Sequence, residues 1–94
     1  MALRDVAEFR NWIERERPSR PAVSAARTFI AETGDEPWRA PSVPIDELSN
    51  QPEYEVRVAA VEVVDEQPVW VWYVHAFATR HVDLIHVTQR QPGN

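Results

Sequence analysis

Residues 54–88 read YEVRVAAVEVVDEQPVWVWYVHAFATRHVDLIHVT, three runs rich in β-branched and aromatic residues. Two short polar breaks, at residues 65–68 and 78–81, separate the runs. Runs of this composition are typical of strands, and polar breaks of this length are typical of hairpin loops. The pattern therefore predicts an antiparallel meander in which Val64 pairs with Val69 and Phe77 pairs with Val82.

This register assigns every side chain of the meander to one of two sheet faces, because side chains alternate along a strand. The first face carries the even-numbered residues of 54–64, the odd-numbered residues of 69–77 and the even-numbered residues of 82–88. Neither face is polar enough to lie in water, whereas a small antiparallel sheet usually has one wet face. We expect helices to cover one face, and another part of the chain or another molecule to cover the second.

The first third of the chain predicts two helices. Apolar residues recur at spacings of three and four in residues 5–16, and Pro18 ends this pattern. Ser19 is expected to cap a second helix, with Pro21 in its first turn and Gly34 at its end. The apolar side of this second helix would consist of Val23, Ala26, Phe29 and Ile30.

A chain of 94 residues is long enough to build one hydrophobic core, so we expect a single domain. Residues 5–34 would form a helical hairpin, and residues 54–90 an antiparallel sheet. The proline-rich residues 35–53 would connect them, with one helical turn at residues 44–48. The expected fold class is α+β, an N-terminal αα-hairpin packed on an antiparallel β-meander of three or more strands.

Composition excludes several classes of site. The chain has no cysteine, which excludes disulfides and thiolate metal sites, and its two glycines cannot form a glycine-rich phosphate loop. No apolar run has the length of a signal peptide or of a helix that spans a membrane. We therefore expect a soluble, cytoplasmic protein without a cofactor, a metal or a membrane partner.

The charges are unevenly distributed along the chain. Residues 1–30 contain six arginines and four acids, whereas residues 31–94 contain four arginines and eleven acids. The formal net charge is −5, and an acidic chain is repelled by phosphate backbones. Nucleic acid is therefore a disfavoured partner, and a protein partner or self-association is favoured.

Five side chains are candidates for contact with a partner: Trp38, Arg57, Trp70, Trp72 and Arg80. Tryptophan rings fill cores and also anchor interfaces, so Trp70 and Trp72 admit both interpretations. Trp38, which lies between two prolines, could be a lid over the open sheet face or an exposed anchor. The predicted register brings Arg57 near Asp83, as a structural ion pair or as a contact for a partner on the open face.

Three further side chains suggest chemistry, because the predicted register places Tyr73, His75 and His86 on one face. A general base beside a phenol, or a pair of metal ligands, is conceivable there. No third ligand lies nearby in this register. The alternative is that both imidazoles are hydrogen-bonded within a partly buried face, and we favour protein contact over catalysis.

Two helices, a proline-marked loop and a meander ending in V-x-L-I-H-V together resemble the RelE/ParE superfamily of small toxin-antitoxin toxins. The likeness covers roughly residues 5–90, and its best points are residues 5–12, 54–57, 69–74 and 82–87. The family usually opens with a strand before the first helix, whereas we expect this chain to start almost directly on the helix. The resemblance implies a small α+β toxin.

The ribosome-dependent nucleases of that family use a cluster of lysine and arginine with a C-terminal aromatic or histidine group. In the sheet half of this chain the arginines are Arg57, Arg80 and Arg90, among many acids. The resemblance therefore implies a protein that grips another protein, or that is gripped by an antitoxin segment laid across its open face. The alternative is an acidic inhibitor, an immunity protein or a phage-encoded protein that blocks a partner's basic site.

Overall fold

The computed structural model describes residues 2–3, 7–33, 35–38, 41–45, 53–77 and 81–90. Its elements are β1 (Ala2–Leu3), α1 (Ala7–Glu16), α2 (Arg20–Thr33), β2 (Val43–Pro44), β3 (Tyr54–Val61), β4 (Val69–Ala76) and β5 (His81–Thr88). The strands form one sheet in the order β1-β5-β4-β3-β2, in which β1 runs parallel to β5 and the other neighbours are antiparallel. The predicted α+β fold, a helical hairpin followed by an antiparallel meander, is confirmed. Neither helix within the described ranges is long and apolar enough to span a membrane.

Helix α1 packs against the core through one apolar stripe, and a residue other than glycine closes its last turn. Trp12 is fully buried, and Phe9 and Ile13 pack partly buried against the same core. Arg17 adopts φ 46° and donates its backbone N–H to the Ile13 carbonyl at 2.9 Å, which closes the last turn. Pro18 then prevents the helix from continuing.

Helix α2 begins as its sequence predicts. The Ser19 hydroxyl accepts a hydrogen bond from the backbone N–H of Ala22 at 3.2 Å, so the predicted cap is confirmed. Ala26, Phe29 and Ile30 of the predicted apolar side are buried, and Val23 is partly buried against them. Gly34, the predicted end of this helix, lies outside the described residues.

The register between β3 and β4 differs from the predicted one. Val61, not Val64, pairs with Val69, which is an odd shift of three residues. A turn at residues 63–66 causes it: Glu66 donates its N–H to the Val63 carbonyl at 3.2 Å, and Asp65 has φ 59°. Val64 is 85% exposed in this turn rather than paired in a strand. An odd shift moves every side chain of β3 to the opposite face, so the predicted faces of this strand were wrong.

A β-bulge interrupts the pairing of β4 with β5. Leu84 pairs with Tyr73 but His86 pairs with Trp72, so Ile85 is an extra residue in β5. The predicted pair of Phe77 with Val82 was also wrong, because Val82 pairs with His75. Side chains before the bulge keep the predicted alternation, and those after it are reversed.

Two short edge strands extend the meander. Strand β1 pairs with His81 and Val82, so the chain does not start directly on a helix as expected. Strand β2 lies in the predicted connector and pairs with Arg57 and Val58. Pro44 is therefore in a strand rather than in the predicted helical turn, and residues 46–48 of that turn lie outside the described residues. Strands of two residues carry no periodicity that a sequence could reveal.

The hydrophobic core lies between the two helices and one face of the sheet, which we call the helix face. The sheet contributes Ala59, Val69, Val71, Tyr73, Val82, Leu84 and Val87, and the helices contribute Trp12, Ala22, Ala26, Phe29 and Ile30. We call the opposite side of the sheet the outer face.

Candidate functional site

Arg57 is buried on the helix face and holds the segment that precedes β2. Its Nε donates to Ser42 Oγ at 3.0 Å, and its Nη2 donates to the carbonyls of Ser42 at 3.0 Å and Trp38 at 3.4 Å. Its Nη1 donates to Glu55 Oε1 at 2.9 Å. The guanidinium is thus committed to groups of its own chain. The predicted pair with Asp83 was wrong, because the true register places Asp83 opposite Val74 on the outer face.

Tyr73 and His75 lie beside Arg57 on the same face. The buried Tyr73 hydroxyl donates to the Pro37 carbonyl. Burial raises the pKa of Tyr73, although the hydrogen bond with Ser42 and the Arg57 charge partly offset that effect. The phenol is therefore a protonated donor that fastens the segment around Pro37, and it is not available as a reactive group.

The predicted grouping of Tyr73, His75 and His86 on one face was wrong. His86 pairs with Trp72 on the outer face, and their ring centroids are 5.6 Å apart. The bulge at Ile85 is the cause, because it reverses the alternation of β5. Within the described ranges, no group of three or more His, Asp or Glu side chains is placed to hold a metal ion.

The outer face is apolar over three strands and polar along the fourth. Its cross-strand rows are Tyr54–Ala76–His81, Val56–Val74–Asp83, Val43–Val58–Trp72–His86 and Ala60–Trp70–Thr88. None of these side chains belongs to the core that α1 and α2 form with the sheet. All but Val56 and Thr88 are partly or fully exposed, and Val43 reaches 55%. The outer face is thus an apolar surface on β2, β3 and β4 with a polar margin on β5.

The structure divides the five side chains that were candidates for partner contact. Trp70 and Trp72 lie on the outer face, whereas Arg57 is buried on the helix face. Trp38 is 58% exposed, and its ring lies 6.0 Å from the His75 ring, so it does not cover the outer face. Arg80 lies outside the described residues. The two outer-face tryptophans remain on an accessible surface.

A single carboxylate that the sequence did not reveal, Glu16, joins α1 to the end of β5. We call Glu16 and its hydrogen-bond donors the Glu16 cluster. Glu16 accepts hydrogen bonds from Trp12 Nε1 at 3.1 Å, Thr88 Oγ1 at 2.5 Å and the backbone N–H of Gln89 at 3.0 Å. Burial acts to raise the pKa of Glu16, but these bonds and the Arg15 guanidinium outweigh it, and the pKa is lowered. The only sequence signal is the spacing of four between Trp12 and Glu16.

An open cleft of about 450 Å³ lies beside Glu16. Its walls consist of Arg15, Glu16, Glu66, Gln67, Gln89 and Arg90. Arg15 also donates to the Val87 carbonyl at 2.7 Å, and Gln89 donates to the Gln67 carbonyl at 3.1 Å. The polar groups of this cleft bind one another, so they tie the chain together rather than forming a ligand site.

Exposed charges on the sheet half are predominantly acidic. The exposed carboxylates in the described ranges from residue 35 onward are Asp35, Glu36, Glu53, Glu62, Asp65 and Glu66, and the exposed arginine there is Arg90. A surface of this kind attracts cationic groups of a partner.

No family model, curated protein or solved structure matches the chain. The features of the molecule that bear on its function are therefore the outer face, the exposed aromatic rings and the acidic surface.

Proposed function

We propose that this chain is a small toxin-like protein of the RelE/ParE kind that acts through contact with another protein rather than through catalysis. The observation that carries the proposal is the outer face, which is apolar over β2, β3 and β4. Antiparallel sheets with one free face usually place polar residues there. Large exposed apolar patches with a polar rim are typical of interaction sites.

The partner that fits this face is an amphipathic segment of another protein with a cationic residue on one side. Its apolar side would pack on Val58 and Trp72, and its cation would face Asp83 on the β5 margin. The acidic surface of the sheet half supports a basic segment over an acidic one, because complementary charges steer association and fix orientation. In a toxin-antitoxin pair, an antitoxin segment laid across the outer face would have this form.

Two features of the fold support this proposal. Strand β1 precedes α1, as in the pattern of the RelE/ParE family. Arg57, one of the three arginines of the sheet half, donates to Ser42, Trp38 and Glu55 and so is not free to contact phosphate. Protein contact therefore accounts for the arrangement better than RNA cleavage does.

A matched pair of variants tests the proposal. Val43 on the outer face is 55% exposed and Val64 in the β3–β4 turn is 85% exposed, so arginine is tolerated by the fold at both positions. We expect induced expression of the wild type and of Val64→Arg to arrest growth of a bacterial host. Co-expression of the product of an adjacent open reading frame should relieve the arrest by forming a complex. Val43→Arg should abolish both the arrest and the formation of the complex, because it places a cation on the surface that receives a basic segment.

The proposal fails if the wild type neither arrests growth nor binds the product of either adjacent reading frame. It also fails if Val43→Arg and Val64→Arg behave alike. Circular dichroism and thermal unfolding of both variants confirm that the comparison is made between folded proteins.

The exposed carboxylates favour one second candidate, an acidic inhibitor or immunity protein that blocks a partner's basic site. Glu62, Asp65 and Glu66 lie together in the segment between β3 and β4. In this case expression would be harmless, and binding to the basic partner would weaken steeply as salt rises from 50 to about 300 mM. Neutralising these three carboxylates would abolish most of that salt dependence, whereas Val43→Arg would not.

A further inference from the structure

We propose that Trp38, His75 and Phe77 form a site for the guanidinium of an arginine side chain from a partner protein. This site, which we call the aromatic site, lies on the helix-face side of the sheet. It goes beyond the proposed function, because it is separate from the outer face.

Two exposed aromatic rings meet at one imidazole in the aromatic site. The Trp38 and Phe77 side chains are 58% and 45% exposed, which is unusual for large rings that already have a packing partner. Their centroids lie 6.0 Å and 4.9 Å from that of His75. His75 itself is 7% exposed, and its Nδ1 has no hydrogen-bond partner. Both rings are thus open to solvent beside an imidazole that carries a buried, unpaired nitrogen.

The sheet holds the Trp38 segment in a defined position. Tyr73 donates to the Pro37 carbonyl, and Arg57 donates to the carbonyls of Trp38 and Ser42. Burying an arginine is costly unless it is paired, and here the paired arginine holds the backbone at Trp38 and Ser42. A ring that is fixed before binding loses little conformational entropy when a partner arrives.

The charges beside the rings select a cation. Glu55 Oε1 already accepts a hydrogen bond from Arg57 Nη1 at 2.9 Å, and it lies 3.5 Å from His75 Nδ1, which is too long for a hydrogen bond. Phe77 donates its backbone N–H to the Glu53 carbonyl at 2.9 Å, so the two residues are cross-strand neighbours at the ends of β4 and β3. Glu36 precedes Trp38 by two residues, and both Glu36 and Glu53 are exposed. Negative carboxylates and electron-rich rings together favour a cation.

Arginine fits this site better than lysine for a geometric reason. The guanidinium is planar, so it can stack on the Trp38 or Phe77 ring while its N–H groups reach an exposed carboxylate such as Glu36 or Glu53. An ammonium group is a compact, strongly hydrated charge that cannot make both contacts in the same way.

The test uses two blocked tripeptides that differ in charge and not in shape, acetyl-Gly-Arg-Gly-amide and its citrulline counterpart. Each is titrated into the ¹⁵N-labelled full chain while the Trp38 indole N–H and the Phe77 amide are followed by NMR. We expect the arginine peptide to shift both signals and the citrulline peptide to bind at least about fivefold more weakly. Phe77→Ala should weaken the arginine peptide by a similar factor, and Val64→Ala, which truncates an exposed apolar side chain elsewhere, should not.

Equal binding of the two peptides, or equal effects of Phe77→Ala and Val64→Ala, would overturn the proposal. Arg39 and Arg80 of the chain lie outside the described residues, so a variant with both changed to glutamine is the remaining control. If the arginine peptide binds only to that variant, the occupant is the chain's own arginine and the partner site is refuted. These outcomes are independent of Val43→Arg, so failure of the aromatic site and failure of the proposed function are distinguishable.

Discussion

Replacing Glu16 with glutamine should remove a large share of the stability of this fold. The carboxylate accepts hydrogen bonds from Trp12 Nε1, Thr88 Oγ1 and the Gln89 N–H, whereas an amide offers one acceptor oxygen. At least one donor loses its partner, and the others lose charge assistance. Hydrogen bonds to charged groups contribute about 1.5–3 kcal/mol and an orphaned buried donor costs about 1–3 kcal/mol. We expect a loss of about 2–4 kcal/mol, against a total of roughly 5–14 kcal/mol for a chain of this length.

Urea denaturation and thermal unfolding measure this loss. For a domain of this size, about 2–4 kcal/mol corresponds to a fall in Tm of roughly 10–30 °C. Glu14→Gln is the matched control, because Glu14 is exposed on the same helix. If the two variants differ by less than about 0.5 kcal/mol, the Glu16 cluster does not stabilise the junction between α1 and β5.

The same carboxylate should make the fold sensitive to acid. Because the pKa of Glu16 is lowered in the folded state, its contribution is complete above the ordinary value of 4.5 and is lost as the pH falls through the lowered pKa. The free energy of unfolding of the wild type should therefore fall more between about pH 5 and pH 3 than that of Glu16→Gln. Parallel pH profiles would show that the carboxylate is not stabilised by folding.

Three other changes probe the helix face. Arg57→Met should lower the free energy of unfolding, measured by urea denaturation, by about 3–5 kcal/mol, because it leaves the Glu55 carboxylate unpaired. A variant as stable as the wild type would show that the ion pair of Arg57 with Glu55 does not stabilise the fold. Tyr73→Phe should reduce the loss of stability at alkaline pH. Because the pKa of Tyr73 is raised in the folded state, its contribution to stability is complete below the ordinary value of 10.0 and is lost as the pH rises through the raised pKa. An unchanged alkaline profile would contradict this. Acrylamide should quench Trp38 and leave Trp12 protected, so Trp38→Phe should lower the quenchable fraction of the fluorescence to the part that the partly exposed Trp70 and Trp72 contribute; a variant that is quenched like the wild type would refute the assignment.

Local signals in the sequence were sufficient for the helices and for the fold class. The Ser19 cap and the apolar side of α2 depend on spacings of three and four residues, which act within a single helix. The composition of residues 54–88 was likewise enough to predict strands. These features survive in the structure because neighbouring residues determine them.

The register could not be predicted because it depends on turn geometry. Val63 and Val64 have the composition of a strand, but the left-handed Asp65 ends β3 earlier. The odd shift that results transferred Arg57 to the helix face and left Trp72 on the outer face. The two faces of the candidate site were therefore exchanged for β3, although the prediction that a second apolar face needs a cover did not depend on the register.

The bulge in β5 bears on how relatives of this chain would be recognised. Leu84 pairs with Tyr73 and His86 pairs with Trp72, so every pair of this ladder would persist if Ile85 were deleted. At this point β5 contains one residue more than its pairing with β4 requires, and the core does not change with that residue. A homologue with the spacing V-x-L-H-V in place of V-x-L-I-H-V would keep the same core and the same outer face. An alignment that allows a single gap at this position would therefore detect homologues that an ungapped alignment misses.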